Sequence, residues 1–454
     1  MSAKNLTRRD VLKRTLGTAG LAGMAPYVWT TEQVRAQSPN DGFGVLTVGV
    51  RGRGGAVGRM AAGYGRCVAV CDVDTASADG FIAKLGSQQK AVPDVCKDYR
   101  KALERKDVDL VTIGTPDHWH TAILIAALRA GKDVYCEKPM TLTIDEGKLI
   151  CKVAKETGRV IQVGTQQRTE MDQRFLQAIA IAKSGRIGKT LTVTCSIGGA
   201  PNKGPFDISA PPATLDWDFW QGQTRDTPFC KERCHGNFRW WLEYSGGKMT
   251  DWGAHHVDIA QWAIGADHTG PVEIEGTGVL PAGREDTLAM ITGRKLSSDL
   301  PNRFNAATTF QVQLRFSNGN TIIVRHGPDN GLLFEGEKGR FFVNRSKLVG
   351  VPVEEIAADE AQTQWLNDAV VKLYNGRTPT SHMGNFIDCV KDRSQPISDV
   401  FTHHRAVSSC HLCNIALLLG RKLHWDPVRE DFINDPEAST MLAREQRKPY
   451  VTET

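Results

Sequence analysis

Short apolar runs alternate with longer helical patterns over residues 45–163 of the chain. Five of these runs have the length and composition of buried strands: Val45–Val50, Cys67–Val73, Asp109–Thr115, Asp133–Cys136 and Val160–Val163. Segments of helical periodicity lie between them, such as Thr121–Ala130 and Ile144–Glu156, and Gly158 ends the second. This alternation predicts an α/β fold with a doubly wound parallel sheet of Rossmann type, which binds ligands at the carboxyl ends of its strands.

The pattern changes after about Gln166, where a predicted helix, Met171–Lys183, leads into longer runs of period two. These runs are predicted strands: Thr190–Ile197, Val272–Leu280, Ala306–Phe316, Thr321–Arg325, Leu332–Glu335 and Arg340–Asn344. A turn over residues 317–320 joins two of them as a hairpin. We therefore predict a dinucleotide-binding domain over residues 43–165. A substrate-binding and oligomerisation α+β domain with a largely antiparallel sheet follows over residues 166–454. An exposed face of this sheet would favour homo-oligomers, and the sequence leaves the oligomeric state open.

The end of the chain is predicted to be a last apolar helix, Val407–Leu419, followed by a polar tail from Arg421. Within the second domain, residues 201–237 are rich in Pro, Gly and Trp and form a long irregular loop. Such loops in compact domains usually have a function.

Residues 1–36 have the features of a twin-arginine export signal. Arg8 and Arg9 precede an apolar stretch, Leu16–Val28, and a small-residue cleavage site follows at residues 34–36. The apolar stretch is too short for a membrane span and contains Pro26. Because this pathway carries folded proteins, we expect export to the periplasm with a cofactor already bound.

Composition narrows the class of partner. The chain has 454 residues and a net charge of +5, but the signal holds six basic and two acidic side chains, so the remainder is close to neutral. A nucleic-acid partner gains no support from this balance. The remainder contains no further stretch that could span a bilayer. Among the 11 cysteines, Cys230 and Cys234 are the best candidates for a bridge, although free thiols are favoured.

A glycine-rich turn directly follows the first predicted strand. Gly52, Gly54 and Gly55 let a pyrophosphate approach the backbone, while Arg53 lies between them. Asp72, at the end of the next strand, is placed to bind the ribose hydroxyls of NAD. Repulsion between the Asp72 carboxylate and the 2′-phosphate of NADP would cost roughly 3 kcal/mol at 5 Å and an effective dielectric of about 20. NADP stays an alternative because Arg51 and Arg53 can meet a phosphate, and Asp72 can instead serve only to cap a helix.

Two further polar segments follow strands on the same edge of the sheet. One is Thr115-Pro116-Asp117-His118-Trp119-His120, and the other is Glu137-Lys138-Pro139. The place of Lys138 at the ligand-binding edge of the sheet suits an ammonium that is held beside a reacting carbon. We expect Glu137 to form an ion pair with Lys138.

In the second domain, Asp251, His255 and Asp258 have the spacing of one helix face. Hydride removal from a secondary alcohol needs a base for the hydroxyl proton, and histidine titrates in the useful range. The same three side chains are an alternative metal site, but their pattern is not one typical of metal centres, so we predict no metal.

These motifs together resemble the Gfo/Idh/MocA oxidoreductase family. The resemblance rests on the glycine turn, Asp72, the segments 115–120 and 137–139, and Gly246-Gly247-Lys248-Met249-Thr250-Asp251-Trp252-Gly253-Ala254-His255. It implies that the cofactor contacts Gly52, Arg53, Gly54, Gly55, Asp72, Thr115, Pro116, His120, Glu137 and Lys138. It also implies that His255 is the acid/base, that Lys138 polarises the reacting oxygen and that Asp251 binds the adjacent hydroxyl. The spacing places Asp258 to orient His255, with a hydrogen bond to a backbone group as the alternative.

The leading hypothesis is an exported NAD(P)-dependent oxidoreductase acting on a sugar, glycoside or polyol, with tight cofactor retention. Arg239 and Tyr244 are the predicted substrate contacts. Two alternatives stay open: a glycosidase or epimerase that uses bound NAD transiently, and a carbohydrate-binding protein without turnover.

Overall fold

The first part of the chain folds around a six-stranded parallel sheet. The computed structural model describes residues 42–86, 89 and 91–452, so the predicted signal lies outside the described residues. The strands are β1 (Phe43–Val48), β2 (Gly65–Cys71), β3 (Asp94–Cys96), β4 (Leu110–Ile113), β5 (Asp133–Cys136) and β6 (Ile161–Val163). Their order across the sheet is β3-β2-β1-β4-β5-β6, with every pair parallel. The predicted doubly wound sheet is confirmed, with β3 as an additional edge strand.

Helices connect these strands on both faces of the sheet. They are α1 (Gly52–Ala62), α2 (Thr75–Leu85), α3 (Tyr99–Leu103), α4 (Asp117–Arg129) and α5 (Ile144–Thr157). Helix α5 begins with a reciprocal cap between Thr143 and Glu146 and ends at Gly158, whose φ is +58°. These local signals explain why its predicted bounds lie close to the observed ones.

The second sheet has nine strands and is mixed. Its strands are β7 (Leu191–Ser196), β8 (Glu273–Val279), β9 (Thr309–Arg315), β10 (Thr321–Arg325), β11 (Gly331–Gly336), β12 (Gly339–Val343), β13 (Leu348–Val349), β14 (Leu423–Asp426) and β15 (Asp431–Phe432). The order is β13-β12-β11-β7-β10-β9-β8-β14-β15, and only β7 and β10 pair in parallel. The prediction of a largely antiparallel second sheet is confirmed.

Helices of this second part pack on the sheet and on the parallel domain. They are α6 (Arg174–Lys183), α7 (Trp217–Gln221), α8 (Lys248–Asp251), α9 (Gly253–Ala263), α10 (Arg284–Ile291), α11 (Val351–Ala357), α12 (Glu360–Leu373), α13 (His382–Asp392), α14 (Val400–Leu419) and α15 (Pro436–Ser439). Helix α14 begins seven residues before its predicted start, because Asp399 caps it through the amides of Phe401 and Thr402. Polar residues at its start, His403 and His404 among them, are buried, and they hid this turn from the apolar pattern.

Helix α13 returns the chain to the parallel sheet. Its residues Phe386 and Ile387 are buried in one apolar cluster with Val45 of β1 and Val57 of α1. Arg393, just after the helix, pairs with Asp133 at 2.7 Å. One face of the first sheet is therefore covered by a segment of the second half.

The predicted polar tail after Arg421 is wrong as a description of this segment. It forms β14, which pairs with β8, and then β15 and α15. Trp425, Phe432 and Leu442 are buried in the core of the second part. The segment holds large apolar residues at wide spacing, which pack only because the sheet edge provides a surface for them.

All eleven cysteines are free thiols in the structure. Cys230 and Cys234, the best candidates for a bridge, are both buried and unpaired, and Cys410 and Cys413 pack in the core of the second part. Within the described ranges, no helix has the length and apolar character needed to cross a membrane.

Candidate active site

A cleft of about 500 Å³ lies at the carboxyl ends of the parallel strands. The second half of the chain forms its opposite wall, through Phe238, Arg239, Asp251, His255 and Arg345. Most of the predicted site residues line this one cleft: Gly52, Arg53, Gly54, Asp72, Thr115, Pro116, His120, Glu137, Lys138, Arg239, Asp251 and His255. Gly55 and Tyr244 do not line it.

The glycine turn has the form that a dinucleotide phosphate requires. Gly52 has φ +52°, and a Cβ on it would point into space with no atom within 4 Å. A Cβ on Gly54 would lie 2.0 Å from the carbonyl oxygen of Gly49, so the helix can approach the strand only with glycine there. A Cβ on Gly55 would likewise lie 2.4 Å from the carbonyl oxygen of Val50, so glycine is required at this buried position too. The start of α1 therefore presents an open cradle of amides that fits a pyrophosphate.

Asp72 lines the cleft with both carboxylate oxygens held by backbone amides. Oδ2 accepts from Val50 N and Oδ1 from Asp74 N, each at 2.9 Å. Burial raises the pKa of Asp72 while these two hydrogen bonds act to lower it. Each oxygen keeps a lone pair for a further donor. Asp74, and not Asp72, caps α2.

The arginines near this carboxylate already have acidic partners. Arg51 lies 3.7 Å from Asp74, and Arg53 Nε lies 3.0 Å from Glu137 Oε1. The expected pair between Glu137 and Lys138 is therefore wrong. Glu137 also accepts from Gln166 Nε2 at 3.1 Å, so its carboxylate faces the glycine turn and not the lysine.

Lys138 instead pairs across the cleft with Asp251. Its Nζ donates to Oδ1 at 2.7 Å and to the carbonyl oxygen of the same residue at 2.9 Å. Arg239 Nε also lies 3.2 Å from Oδ1, and Lys248 Nζ lies 3.9 Å from Oδ2. Burial alone would raise the pKa of Asp251, but the charges of Lys138 and Arg239 outweigh it and hold the pKa below its ordinary value. Asp251 is thus a shared anion among three cations.

His255 lies one helical turn after Asp251 and is 5% exposed. Burial, followed by the charges of Lys138 and Arg345, lowers its pKa well below the ordinary value, so the ring is neutral at pH 7. Its Nδ1 is buried without a hydrogen-bond partner among the described residues. A neutral imidazole at the wall of the cleft is able to accept a proton.

The expectation that Asp258 orients His255 is wrong. Asp258 forms two hydrogen bonds of 2.7 Å with Arg168, and both side chains are buried. Arg168 also donates to the carbonyl of Ile397 and lies over the ring of Trp262. The alternative metal site loses this ligand, and no group of three or more potential metal ligands occurs within residues 42–86, 89 and 91–452.

Arg239 and Tyr244 separate in the structure. Arg239 reaches the cleft and Asp251, as described above. Tyr244 is fully buried and packs against Trp220 and His118, with ring centroids 5.0 and 5.2 Å away. The predicted substrate contact by Tyr244 is therefore corrected to a core position. The residues next to Tyr244 in sequence do not indicate this core position, because aromatic residues occur both in cores and in substrate-binding clefts.

The segment 115–120 ties the strand ends together. His120 lies between two carbonyl oxygens, with Nδ1 2.7 Å from Pro139 and Nε2 2.9 Å from Thr115. Asp117, to which the sequence assigned no role, is buried and accepts from Ser245 of the second half. Burial raises the pKa of Asp117 to about 7, against the effect of that hydrogen bond.

Sequence reasoning also missed residues that reach the cleft from elsewhere. They are Gln166, Glu170, Phe219, His235, Phe238 and Arg345. Phe219 and His235 belong to the irregular region, residues 201–237, for which a function was expected, and Phe238 directly follows it. Arg345 lies in a hairpin turn that carried no motif.

Comparison with known proteins places the chain in a family. A model described as "Oxidoreductase family, NAD-binding Rossmann fold" (GFO_IDH_MocA) matches residues 43–165. A second, described as "Oxidoreductase family, C-terminal alpha/beta domain", matches residues 202–297 and 293–452. The chain therefore belongs to the Gfo/Idh/MocA family of NAD-binding oxidoreductases.

Several of the named relatives are dehydrogenases of polyols and sugars. The chain is 30% identical over 174 residues to scyllo-inositol 2-dehydrogenase (NAD(+)) of Bacillus subtilis, a match that covers 38% of this chain and 40% of that protein. It is 25% identical over 304 residues to levoglucosan dehydrogenase of Pseudarthrobacter phenanthrenivorans, covering 63% and 68%. The WlbA dehydrogenase of Bordetella pertussis, solved with NADH and UDP-GlcNAcA, shares the fold with a TM-score of 0.57 at 17% identity, covering 85% and 99%.

Proposed function

We propose that this protein is an NAD-dependent oxidoreductase that moves hydride between bound cofactor and a secondary alcohol of a sugar or polyol. The observation that carries the proposal is the single cleft, which joins the glycine cradle of α1 to Lys138, Asp251 and His255. Relatives named as inositol and levoglucosan dehydrogenases support the substrate class.

Each side chain has a separate task in this proposal. NAD, when bound, supplies the hydride acceptor. His255, neutral at pH 7, takes the hydroxyl proton as the carbonyl forms, and returns it in the reverse direction. The Lys138 ammonium stabilises negative charge on the reacting oxygen, and Asp251 fixes that ammonium at 2.7 Å. Asp251 then positions the lysine and is near enough to the cleft to bind an adjacent hydroxyl.

NAD is preferred to NADP in this proposal because of Asp72. Its two amide contacts hold the carboxylate at the cleft, where a 2′-phosphate would meet like charge. Arg51 and Arg53, which were the alternative phosphate ligands, already have carboxylate partners. NADH in the related WlbA structure is consistent with this choice.

Tight cofactor retention is the next part of the proposal, and it rests on residues 214–220, which we call the strap. The strap lies beside the end of β2: Asp216 N donates to Val73 O and Thr75 N donates to Thr214 O, each at 3.0 Å. Lys97 pairs with Asp216 at 2.6 Å. Phe219 and Trp220 of the strap line the cleft.

The end of the chain holds the strap from outside. Tyr450 stacks on Phe219 with ring centroids 5.5 Å apart and donates to the carboxylate of Asp218 at 2.6 Å. Arg447 pairs with the same aspartate and bonds the backbone of residues 222–224. A dinucleotide in the cleft would leave only after these contacts open, which favours slow release.

Export through the twin-arginine pathway completes the proposal and gives retention its purpose, since no nicotinamide pool is expected outside the cytoplasm. It rests on Arg8 and Arg9 in the sequence. Replacing both by lysine is expected to leave the protein in the cytoplasm of its host. Unchanged export of that variant would contradict this part alone.

The central test is mass spectrometry of the denatured, purified protein, followed by a panel of sugars and polyols. We expect released NAD, and oxidised product with stoichiometric NADH after single turnover. Absence of any nucleotide and of any oxidised product would overturn the proposal. Release of an aryl leaving group from glycosides with no net NADH would instead favour the glycosidase alternative.

A second experiment tests retention. Tyr450→Ala removes the stack on Phe219, and we expect NAD to dissociate about tenfold faster because about 1.4 kcal/mol of packing is lost. The matched control is Tyr64→Ala, an exposed tyrosine at the end of α1. Equal dissociation rates for both variants and the parent protein would show that the strap does not limit release.

A further inference from the structure

Positive charge accumulates where the proposed substrate meets the second half of the chain. Asp251 is the one carboxylate that Lys138, Arg239 and Lys248 share. Arg345 adds another cation to this wall, and within the described ranges its guanidinium has neither an ion-pair nor a hydrogen-bond partner. The wall therefore holds more cationic than anionic groups.

The fold fixes Arg345 in place while leaving its charged end free. It lies in the turn between β12 and β13, where Asn344 Oδ1 accepts from the amides of Ser346 and Lys347, each at 2.9 Å. The carbonyl of Arg345 accepts from Arg174 Nη1 at 3.1 Å. The backbone is thus held on both sides, so the guanidinium starts from a defined point.

The guanidinium lies close to the proposed chemistry. Its carbon is 4.4 Å from the centroid of the Trp252 ring. The same indole lies edge-on to His255, with centroids 6.0 Å apart. Arg345 is therefore one aromatic ring away from the proposed base and lines the same cleft.

The nearby carboxylates do not neutralise Arg345. Glu137 is engaged by Arg53 and Gln166. Glu170 lines the cleft and acts on Arg345 electrostatically, but within the described part of the chain the two form no ion pair. Burial, followed by the charge of Arg53, lowers the pKa of Arg345, so the free site penalises this cation and an anion would relieve the penalty.

We propose that the substrate is an acidic sugar, such as a uronic or aldonic acid, whose carboxylate is bound by Arg345 with Arg239 beside it. The inference rests on the proposed function and names the substrate class for that site. The planar fork of a guanidinium matches a carboxylate through two parallel hydrogen bonds, whereas a neutral hydroxyl uses only one donor. Contact with the Trp252 ring holds the guanidinium at the wall of the cleft.

The test is calorimetric binding to the NAD-loaded, full-length protein, which does not depend on turnover. The acids are glucuronate and gluconate, and their neutral counterparts are glucose and glucitol. We expect each acid to bind at least about tenfold more tightly than its counterpart. Arg345→Met should remove that difference, and Arg345→Lys should retain part of it because the charge is kept. Lys347→Met, in the same hairpin turn but with its ammonium over Phe342, is the matched control and should change nothing.

Each outcome has a separate meaning. Equal binding of acids and neutral sugars, or no binding of either acid, overturns the inference. A preference that survives Arg345→Met also overturns it. Tighter binding of glucose 6-phosphate than of both acids would show that the anion is a phosphate ester and would overturn the carboxylate assignment. NADH formation with neutral sugars alone would leave the proposed function standing while the inference falls.

Discussion

Two aspartates on one helical run, Asp251 and Asp258, have opposite settings. Asp258 makes two bonds of 2.7 Å to Arg168, and both side chains are at most 3% exposed. Asp251 meets Lys138 at 2.7 Å and shares its charge with Arg239 at the wall of the cleft. The first pair is closed and complete, while the second is open to a ligand.

The difference shows why an ion pair does not by itself indicate a function. Both pairs hold one segment of the second half against another part of the chain. In the closed pair every strong donor is matched, so a change there acts on folding. In the open pair, cations exceed carboxylates and face the cleft, so a change there acts on ligands and chemistry.

The largest expected effect comes from the open pair. Lys138→Met should lower kcat about 10³-fold or more, about 4 kcal/mol, because charge on the reacting oxygen loses its stabilising cation. The measurement is steady-state kinetics on a sugar from the panel, with folding checked by circular dichroism. Lys248→Met is the control, since Lys248 contacts Asp251 only at 3.9 Å. Similar losses for both variants would contradict a special role for Lys138.

A substitution in the closed pair should lower the free energy of unfolding. Asp258→Asn leaves the buried Arg168 without a counter-charge, and we expect unfolding in urea to show a loss of about 4 kcal/mol. Asp251→Asn should cost less than this, because Lys138 keeps a backbone carbonyl as partner and the pair is 13% exposed at the cleft. If the two variants were equally unstable, the distinction between the pairs would fail.

As the pH falls, the buried histidines should reduce the stability of the fold before the Lys138–Asp251 pair loses its charge. The pKa of Asp251 is below its ordinary value, so that pair stays charged as the pH falls. Burial lowers the pKa of eight histidines, and the shift is largest for six of them: His118, His255, His256, His382, His403 and His411. Each takes up a proton on unfolding below about pH 6.5, so acid favours the unfolded state.

Asp117, whose pKa burial raises to about 7, acts in the opposite direction over the same window. The net loss between pH 7 and 6 is about 3 kcal/mol. Urea unfolding at a series of pH values measures this slope. A stability that stays flat down to pH 5 would mean that these rings are charged in the folded protein.

The smallest expected effect concerns Tyr244. Because its ring is buried against Trp220 and His118, Tyr244→Phe should leave KM within about twofold. Arg239→Met should raise KM for the same substrate, since Arg239 lies at the cleft. A KM rise for Tyr244→Phe as large as that for Arg239→Met would restore the substrate contact predicted from sequence.

Most of the fold was predictable because strong local signals agree with the tertiary arrangement. Runs such as Val45–Val50 and Asp133–Cys136 are apolar and bounded, and they correspond to β1 and β5 within two residues. Strand β3 was missed because Asp94–Cys96 is three residues long and lies at a sheet edge. The segment after Arg421 was missed because its packing depends on the edge of β8.

The candidate site was predictable as a set of residue types and not as a set of contacts. The turn at Gly52 and the lysine after β5 follow from their places at strand ends, where parallel sheets bind ligands. The ion-pair partners of the site residues cannot be predicted in this way. Glu137 is next to Lys138 in sequence, but it pairs with Arg53, which is distant along the chain. Arg345 carried no signal, since a single arginine in a hairpin turn is usually a solvated side chain.

The sequence by itself determined the alternation of strands and helices in the parallel domain, the glycine turn and the candidate residues Lys138, Asp251 and His255. Those features depend on periodicity and on backbone freedom, which are local properties. Only the tertiary structure decided which charge meets which, how deeply each ring is buried and that residues 214–220 lie along the cofactor cleft. Those properties depend on distances between segments far apart in the chain, and burial strengthens the electrostatic effects that distinguish one aspartate from another.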